Sequence, residues 1–454
     1  MSQFSAAAAA PGIRLSQLSQ SGIGDVADSL NLFRGDVNLP LPLISLRGRN
    51  GLDVALTAFY ASNVDSQVRP SNRVAPTGVL GVGWSLPRDQ VVVENRLTGA
   101  TGDEAFYLVT GGAPRRLVRS EYGDDYELVD YQFWSITHHR DELNPARDHW
   151  VVVREDGSTY TYGDAGIEWG VGWGNWSGSG TAPGGRRVPV AWNLIRVTSP
   201  QGDSITFEYE HEEVPIGSGP AYTRACYLTG ITDAFGQRVT LGYEDKEPFE
   251  VEPPHPVPPG GQHAFQDKYE TRFLRSITVT SEDGADLATL RFGYEFADVT
   301  GADGNSHRKR YLASVTETGR TGISTPPMNF GYYTAGADPN PGAIRAVTYP
   351  KGATVSYEYE SQPLHNAATS RSVPGPGPGY VPRVWHGPGY VVITWHNAAA
   401  GEVRVDAYTW NGTWNGWSDT KAWAVAKDSL YVQAATGFYV AGYTDARTGE
   451  HRIR

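Results

Sequence analysis

The chain has one cysteine, Cys226, in 454 residues. A lone thiol excludes an internal disulfide framework and any zinc site that needs two or more thiolates. Long apolar runs are missing as well, since nothing approaches the roughly 18 residues of a membrane span. The start, MSQFSAAAAAPGIRLSQLSQ, has no cationic region ahead of its short alanine run and displays no signal peptide. Cations are the minority charge, 38 Lys and Arg against 50 Asp and Glu for a net of −12. That removes the basic footprint needed to neutralise nucleic-acid phosphates or to bind an anionic leaflet. Stretches able to form long helices are scarce, because 53 glycines and 30 prolines interrupt the chain. Between them Val, Thr, Tyr and Trp recur in short runs of the kind strands favour.

What is present is a succession of short strands. The length exceeds the roughly 250 to 300 residues at which one hydrophobic core stops growing, so several cores are expected. VNLPLPLISL (37–46) and GLDVALTAFYASN (51–63), separated by the turn-like RGRN (47–50), read as a hairpin. Pro40 and Pro42 cannot donate to a ladder, which predicts an edge strand or one that joins the sheet only after them. QVVVEN, EAFYLVT, FWSITH and HWVVVRED follow as further short strands. Asp156-Gly157 predicts a type I′ hairpin turn. GIEWGVGWGNWSGSGTAPGG (166–185) has no usable period and predicts a long loop.

The middle of the chain repeats itself. WNLIRVTSPQGDSITFEYE (192–210) aligns with CYLTGITDAFGQRVTLGYED (226–245), FLRSITVTSEDGADLATLRFGYE (273–295), YLASVTETGRTGISTPPMNFGYY (311–333) and IRAVTYPKGATVSYEYE (344–360). Each has Val or Ile followed by Thr, a glycine turn, and a return strand ending in Tyr209, Tyr243, Tyr294, Tyr332 or Tyr359. The spacing from Val or Ile to Tyr is 12 in three copies and 17 in two, which reads as growth of the turn alone. Such a hairpin cannot bury its apolar face by itself, so successive copies must stack and the stack needs capping. SRSVPGPGPGYVP (370–382) is a proline-stiffened linker, and beyond it short aromatic strands make up part of a propeller-like unit.

Signals for catalysis are weak. GVLGVGWSL (78–86) places Gly78, Gly81 and Gly83 around Trp84, but Pro87 and the strand DQVVVEN follow where a phosphate loop needs a helix. Trp84 is expected to be a core anchor, with the glycines letting backbone approach its ring. Glu208 with Glu210 and Glu358 with Glu360 are i, i+2 pairs on one strand face, read as solvated acids opposite an aromatic face. His138, His139, His149, His211, His255 and His263 fit no ligand spacing, and no metal or cofactor is expected. Asp298, Asp303 and Asn305 lie in a loop without the closing acid of an EF-hand and read as a solvated turn. Cys226 reads as a small packed hydrophobe.

GDVNLPLPLISLRGRNGLDVALTAFYASN followed by GVLGVGWSLPRDQVVVEN resembles the N-terminal region of the SpvB and Rhs/YD-repeat toxin families, with its GxGWSL element after a strand pair joined by a GRNGL turn. VTSPQGDSITFEYE, ITDAFGQRVTLGYED and VTYPKGATVSYEYE look like degenerate YD units, and the tail is similar to the propeller-like segment of the Tc toxin B component. FGYE (292–295) and FGYY (330–333) depart from the Tyr-x-Tyr-Asp ending, and the family's self-cleaving aspartyl and ADP-ribosyltransferase motifs are not found.

The resemblance implies an all-β protein in which stacked hairpin repeats form a cocoon-like shell wall beside a partial propeller-like unit. The expected divisions are a lead-in (1–30), an SpvB-like domain (31–190), YD-like repeats (191–370), a linker (371–382) and the propeller-like segment (383–454). It implies a non-catalytic, secreted shell region leaving the cell by a non-classical toxin route. Its partners would be the remaining shell with its C-terminal toxic segment, or a second shell chain, and a translocation pore reached through the propeller. The alternative is an extracellular carbohydrate- or partner-binding module that uses Trp169, Trp173 and Trp176, or Trp410, Trp414 and Trp417, as amphipathic aromatic surfaces.

Overall fold

The computed structural model describes residues 14–15, 30–31, 36–68, 76–94, 104–120, 125–141, 143–172, 186–216, 219–251, 266–300, 306–334, 338, 340–360, 381–387, 390–397, 399, 402–410, 414–421, 425–426, 429–435 and 438–453. It is nearly all β, with one four-residue helical turn, Asp65–Val68, and a few single 3-10 turns among the described residues. Two compact units divide the chain, Met1–Ser361 and Gln362–Arg454.

The first unit opens with a five-stranded antiparallel sheet: β1 (Arg14–Leu15), β2 (Leu30–Asn31), β3 (Asp36–Leu46), β4 (Val54–Ala61) and β5 (Trp84–Ser85). Strict alternation along β4 buries Val54, Leu56, Ala58 and Tyr60. Both prolines of β3 lie inside the ladder with β4, Pro40 opposite Phe59 and Pro42 opposite Thr57. They are tolerated because Val37 exchanges hydrogen bonds with Ser62 on the β4 side. Alternate positions, Pro40 and Pro42 among them, therefore turn their nitrogens to the other side, where among the described residues β1 and β2 pair at residues 44–45 and 36–37 and leave Pro40 and Pro42 unopposed.

Eight strands follow: β6 (Gln90–Glu94), β7 (Ala105–Thr110), β8 (Ala113–Arg119), β9 (Asp125–Leu128), β10 (Ser135–His139), β11 (His149–Val153), β12 (Thr159–Gly172) and β13 (Arg186–Thr198). The ladder Ala191↔Val92, Trp192↔Val91 and Asn193↔Gln90 closes them on themselves. Side chains fill the interior: Phe106, Trp150 and Trp192 meet edge to face or tilted, and His138 stacks on Trp150 at 4.0 Å. Two local expectations are corrected here. Residues 166–172 are strand, paired with 186–192, where a loop was predicted. The 154–158 turn is not type I′, since Gly157 alone has positive φ (80°); Gly157 donates to Arg154 O and Arg154 to Ser158 O, a turn closed by a glycine bulge.

From β13 the same sheet continues as a meander: β14 (Ser204–Pro215), β15 (Ala221–Thr232), β16 (Arg238–Asp245), β17 (Arg272–Thr280), β18 (Asp286–Thr300), β19 (Ser306–Gly319), β20 (Met328–Tyr332), β21 (Ile344–Thr348) and β22 (Thr354–Ser356). With β13 they are the ten arms of the five sequence repeats. Core residues of the first sheet, the ring and the meander form one continuous cluster.

All five repeats share a five-residue turn, Ser199–Asp203, Asp233–Gln237, Ser281–Ala285, Gly319–Ile323 and Tyr349–Ala353, in which the first N donates to the fifth O and a positive-φ glycine at the fourth position donates to the first O. The turn has therefore not grown in the longer copies. Ile277 to Ser281 is four residues where Val197 to Ser199 is two, and Gly284 to Tyr294 is ten where Gly202 to Tyr209 is seven. The arms have lengthened, unequally, and a register shift at Val279/Thr280 absorbs the odd residue in the third repeat.

The second unit holds two antiparallel sheets, β23 (Val381–Gly387) through β24 (Tyr390–Asn397), β25 (Glu402–Trp410) and β26 (Trp414–Lys421), and β27 (Tyr431–Ala435) with β28 (Phe438–Thr444) and β29 (His451–Ile453). Val392, Val403, Val405, Val425, Leu430, Ala441 and Tyr443 make its small core.

Candidate functional site

The repeat tyrosines do one job five times. In each hairpin the arms pair near the turn and then splay, and the tyrosine hydroxyl spans the gap to a carbonyl on the outgoing arm. Tyr209 donates to Leu194 O, Tyr243 to Leu228 O, Tyr294 to Leu274 O, Tyr332 to Leu312 O and Tyr359 to Ile344 O, at 2.5 to 3.0 Å. Each acceptor lies three residues before the Val or Ile of the repeat. Two residues three apart on a regular strand face opposite sides. Here both are buried, because one residue bulges between them: Ile195, Thr229, Arg275, Ala313 and Arg345 sit at the register shifts. The bulge interrupts the ladder, and the hydroxyl supplies the donor that this buried carbonyl requires. Burial raises the pKa of all five tyrosines, so they remain protonated donors.

Residues 77–90 stitch across this wall. Lys246 Nζ donates to Thr77 O, Leu274 N to Val79 O, and Val82 N to Arg310 O. Trp84, 2% exposed, donates from Nε1 to the Tyr332 hydroxyl at 2.9 Å, and its ring meets Tyr60 and Phe330 at 5.2 and 5.1 Å. Tyr60 in turn accepts from Ile344 N at 2.7 Å. The glycines allow close approach, but not to the Trp84 ring. A Cβ on Gly83 (φ 76°) would lie 2.4 Å from the Tyr60 ring, one on Gly81 (φ 90°) 2.6 Å from Arg310 O, and one on Gly78 3.0 Å from the backbone carbonyl of Trp84.

Beyond Pro87 the segment ends in a buried polar cluster that sequence reasoning missed. Arg88 Nη2 reaches Glu168 Oε1 at 3.1 Å, and Lys268 Nζ reaches Glu168 Oε2 at 3.0 Å. Asn193 Nδ2 donates to Glu168 and to Gly166 O and approaches Cys226 Sγ at 3.5 Å. Burial alone would raise the Glu168 carboxyl, but Lys268, Arg88 and Asn193 hold it at about 2. Burial pushes the Cys226 thiol up to about 12, which leaves it a packed, unreactive group. The separations of 80 and 100 residues leave no local signal for this cluster. The staple acceptors, in contrast, form a visible column of Leu or Ile in the aligned repeats.

The remaining candidates are dispersed. Trp169 is half-buried on β12 beneath the Arg187 guanidinium, 4.6 Å from the ring, while Trp173 and Trp176 lie outside the described residues. Trp410 and Trp414 are register partners on β25 and β26, and Trp417 is the register partner of Ala407. Glu208 and Glu210 belong to cross-strand ion pairs with Arg238 and Arg272. His138 is buried against Asp148 at 2.7 Å, and His139 stacks on His149. Asp298 pairs with Arg308 across the β18–β19 ladder, and Asp303, Asn305, His255 and His263 are outside the described residues. No group of three His, Cys, Asp or Glu among the described residues could hold a metal ion, and no described helix is long and apolar enough to cross a membrane.

No protein-family model matches the chain. Among solved structures, TcdB2-TccC3-TEV aligns over 100% of this chain and 22% of its own, at 13% identity and TM-score 0.47. The N-terminal domain of effector protein SpvB from Salmonella typhimurium strain LT2 aligns over 62% of this chain and 99% of its own, at 15% identity and TM-score 0.39. The chain is similar to the Tc toxin and SpvB structures. Among curated proteins, salivary gland surface protein 1 of Aedes aegypti is 24% identical over 226 residues, 48% of this chain and 6% of that one. The chain thus spans about a fifth of the Tc chain and a small fraction of the mosquito protein.

Proposed function

We propose that this chain is a structural, non-catalytic region of an Rhs- or Tc-type toxin shell, serving to enclose or deliver a toxic segment carried C-terminal to it or by a second shell chain. The observation that carries this reading is the repeated unit: five hairpins, each splayed, bulged and held by its own tyrosine, joined to their neighbours by antiparallel ladders. A bulge bends its strand and increases the local twist, so a series of equivalent bulges produces a curved wall. A wall of this kind encloses volume through geometry that each hairpin sets for itself, and it grows by adding units. The GVLGVGWSLPR segment supports the reading, because it ties β12, β15, β17, β19 and β20 together, Arg88 reaching β15 at Cys226 O. The GxGWSL and YD-like sequence patterns agree. On this reading the second unit meets a translocation partner, and the protein acts outside the cell.

The test is protease protection in the longer polypeptide or two-chain complex that carries the toxic segment. An intact shell leaves that segment resistant, and Trp84→Ala exposes it. Equal digestion in the native shell and after the shell is unfolded in urea refutes enclosure. The alternative, a binding module on Trp-rich surfaces, would show up as saturable binding to an oligosaccharide array that Trp169→Ala abolishes.

A further inference from the structure

Between the β3–β4 hairpin and the first two repeats lies a cavity of about 260 Å3 that the shell role does not use. Leu52 and Leu56 line one side, Phe207 and Ile231 the other, and Arg154 and Asp89 stand in its wall. The Arg154 guanidinium lies over two rings, 3.8 Å from the centroid of Tyr160 and 4.7 Å from that of Trp134. It has no ion-pair partner among the described residues, and its buried Nε has no acceptor. The other arginine of the lining, Arg88, is already neutralised by Glu168. Asp89 Oδ1 accepts from Gly111 N at 2.9 Å, and its charge attracts Arg154 without forming an ion pair with it.

A cation packed against aromatic rings with an Nε that lacks an acceptor, set in a chamber whose aliphatic and aromatic lining is interrupted by Asp53, Arg88 and Asp89, matches an amphipathic anion. We propose that this cavity binds a medium-chain fatty acid, its carboxylate on Arg154 and its hydrocarbon against Leu52, Leu56, Phe207 and Ile231. The size agrees, since an apolar cavity of about 150 Å3 accepts benzene, and by the same proportion this one takes about ten non-hydrogen atoms, the size of octanoate. Asp89 sets a limit on affinity, because its carboxylate competes for the same guanidinium.

The test is isothermal titration of the full chain with octanoate, with octanol as the uncharged control. Octanoate binds one to one and more tightly than octanol. Arg154→Met weakens it about tenfold or more, the loss of one charge-assisted contact. Asp89→Asn, which keeps the acceptor for Gly111, strengthens it, and Ile231→Phe fills the chamber and abolishes it. No binding of octanoate at millimolar concentration overturns the proposal. So does equal affinity for octanol, or unchanged affinity in a folded Arg154→Met or Ile231→Phe protein. Failure here leaves the shell role untouched, because protease protection of a cargo does not involve this cavity.

Discussion

Removing a single oxygen atom, in Tyr332→Phe, distinguishes the staple of the fourth repeat from the others. The Tyr332 hydroxyl accepts from Trp84 Nε1 at 2.9 Å and donates to Leu312 O at 2.8 Å. Trp84 is 2% exposed and Leu312 fully buried, so no water replaces the lost partner at either end. Leaving a buried polar group unpaired costs about 1 to 3 kcal/mol, so two of them predict about 2 to 6 kcal/mol. Tyr243→Phe removes the hydroxyl from Leu228 O alone, at 2.9 Å, and predicts about 1 to 3 kcal/mol by the same reckoning. Equilibrium urea denaturation of the two variants, with matched slopes, measures the difference. A double-mutant cycle with Trp84→Phe isolates the indole–hydroxyl pair, for which a coupling of about 0.5 to 3 kcal/mol is expected. Equal destabilisation by Tyr332→Phe and Tyr243→Phe, together with strict additivity in the cycle, refutes the claim that the GxGWSL segment is fastened to the wall through a staple.

Trp84→Ala, which truncates a buried aromatic, lowers stability by about 3 to 5 kcal/mol in the same assay. Gly83→Ala costs more than Gly202→Ala: both glycines have positive φ, a strain of about 1 to 2 kcal/mol for alanine, but only the Gly83 position also drives a methyl into the Tyr60 ring. Glu168→Gln leaves Arg88 facing no anion in a buried site and costs about 3 to 5 kcal/mol at neutral pH. In the wild type the contribution of Glu168 is complete above pH 4.5 and is lost as pH falls towards about 2, so melting temperature against pH shows an acid limb that the variant flattens. On the alkaline side two effects oppose. Burial holds Lys246 at about 8 against its ordinary 10.5, so the unfolded chain binds the extra proton and stability rises through that window. The buried tyrosines are shifted upward, so the unfolded chain loses protons first and stability falls as pH rises above 10. Melting temperatures that fall steadily from pH 8 to 10 would contradict this.

The sequence alone determined what depends on local rules. Alternation in β4 marked its buried face, glycine at a fixed place marked each repeat turn, and Val or Ile with Tyr marked the two ends of each hairpin. The same local rules misled at two kinds of place. Asp156-Gly157 satisfies the dipeptide signal for one turn while the flanking residues form another, and GIEWGVG carries no period because bulges break the alternation of a strand that long. Tertiary structure alone decided where the extra residues of the longer repeats go, because a turn and an arm of equal total length give the same spacing. It also decided what each tyrosine holds: the acceptor is a carbonyl, present in every residue, and only a splayed and bulged pair of arms singles out the one at Leu194, Leu228, Leu274, Leu312 or Ile344. The junction of Arg88, Glu168 and Lys268 was out of reach for the same reason. Charges 80 and 100 residues apart become partners only when β12, the segment after Trp84 and the stretch before β17 are folded onto one another.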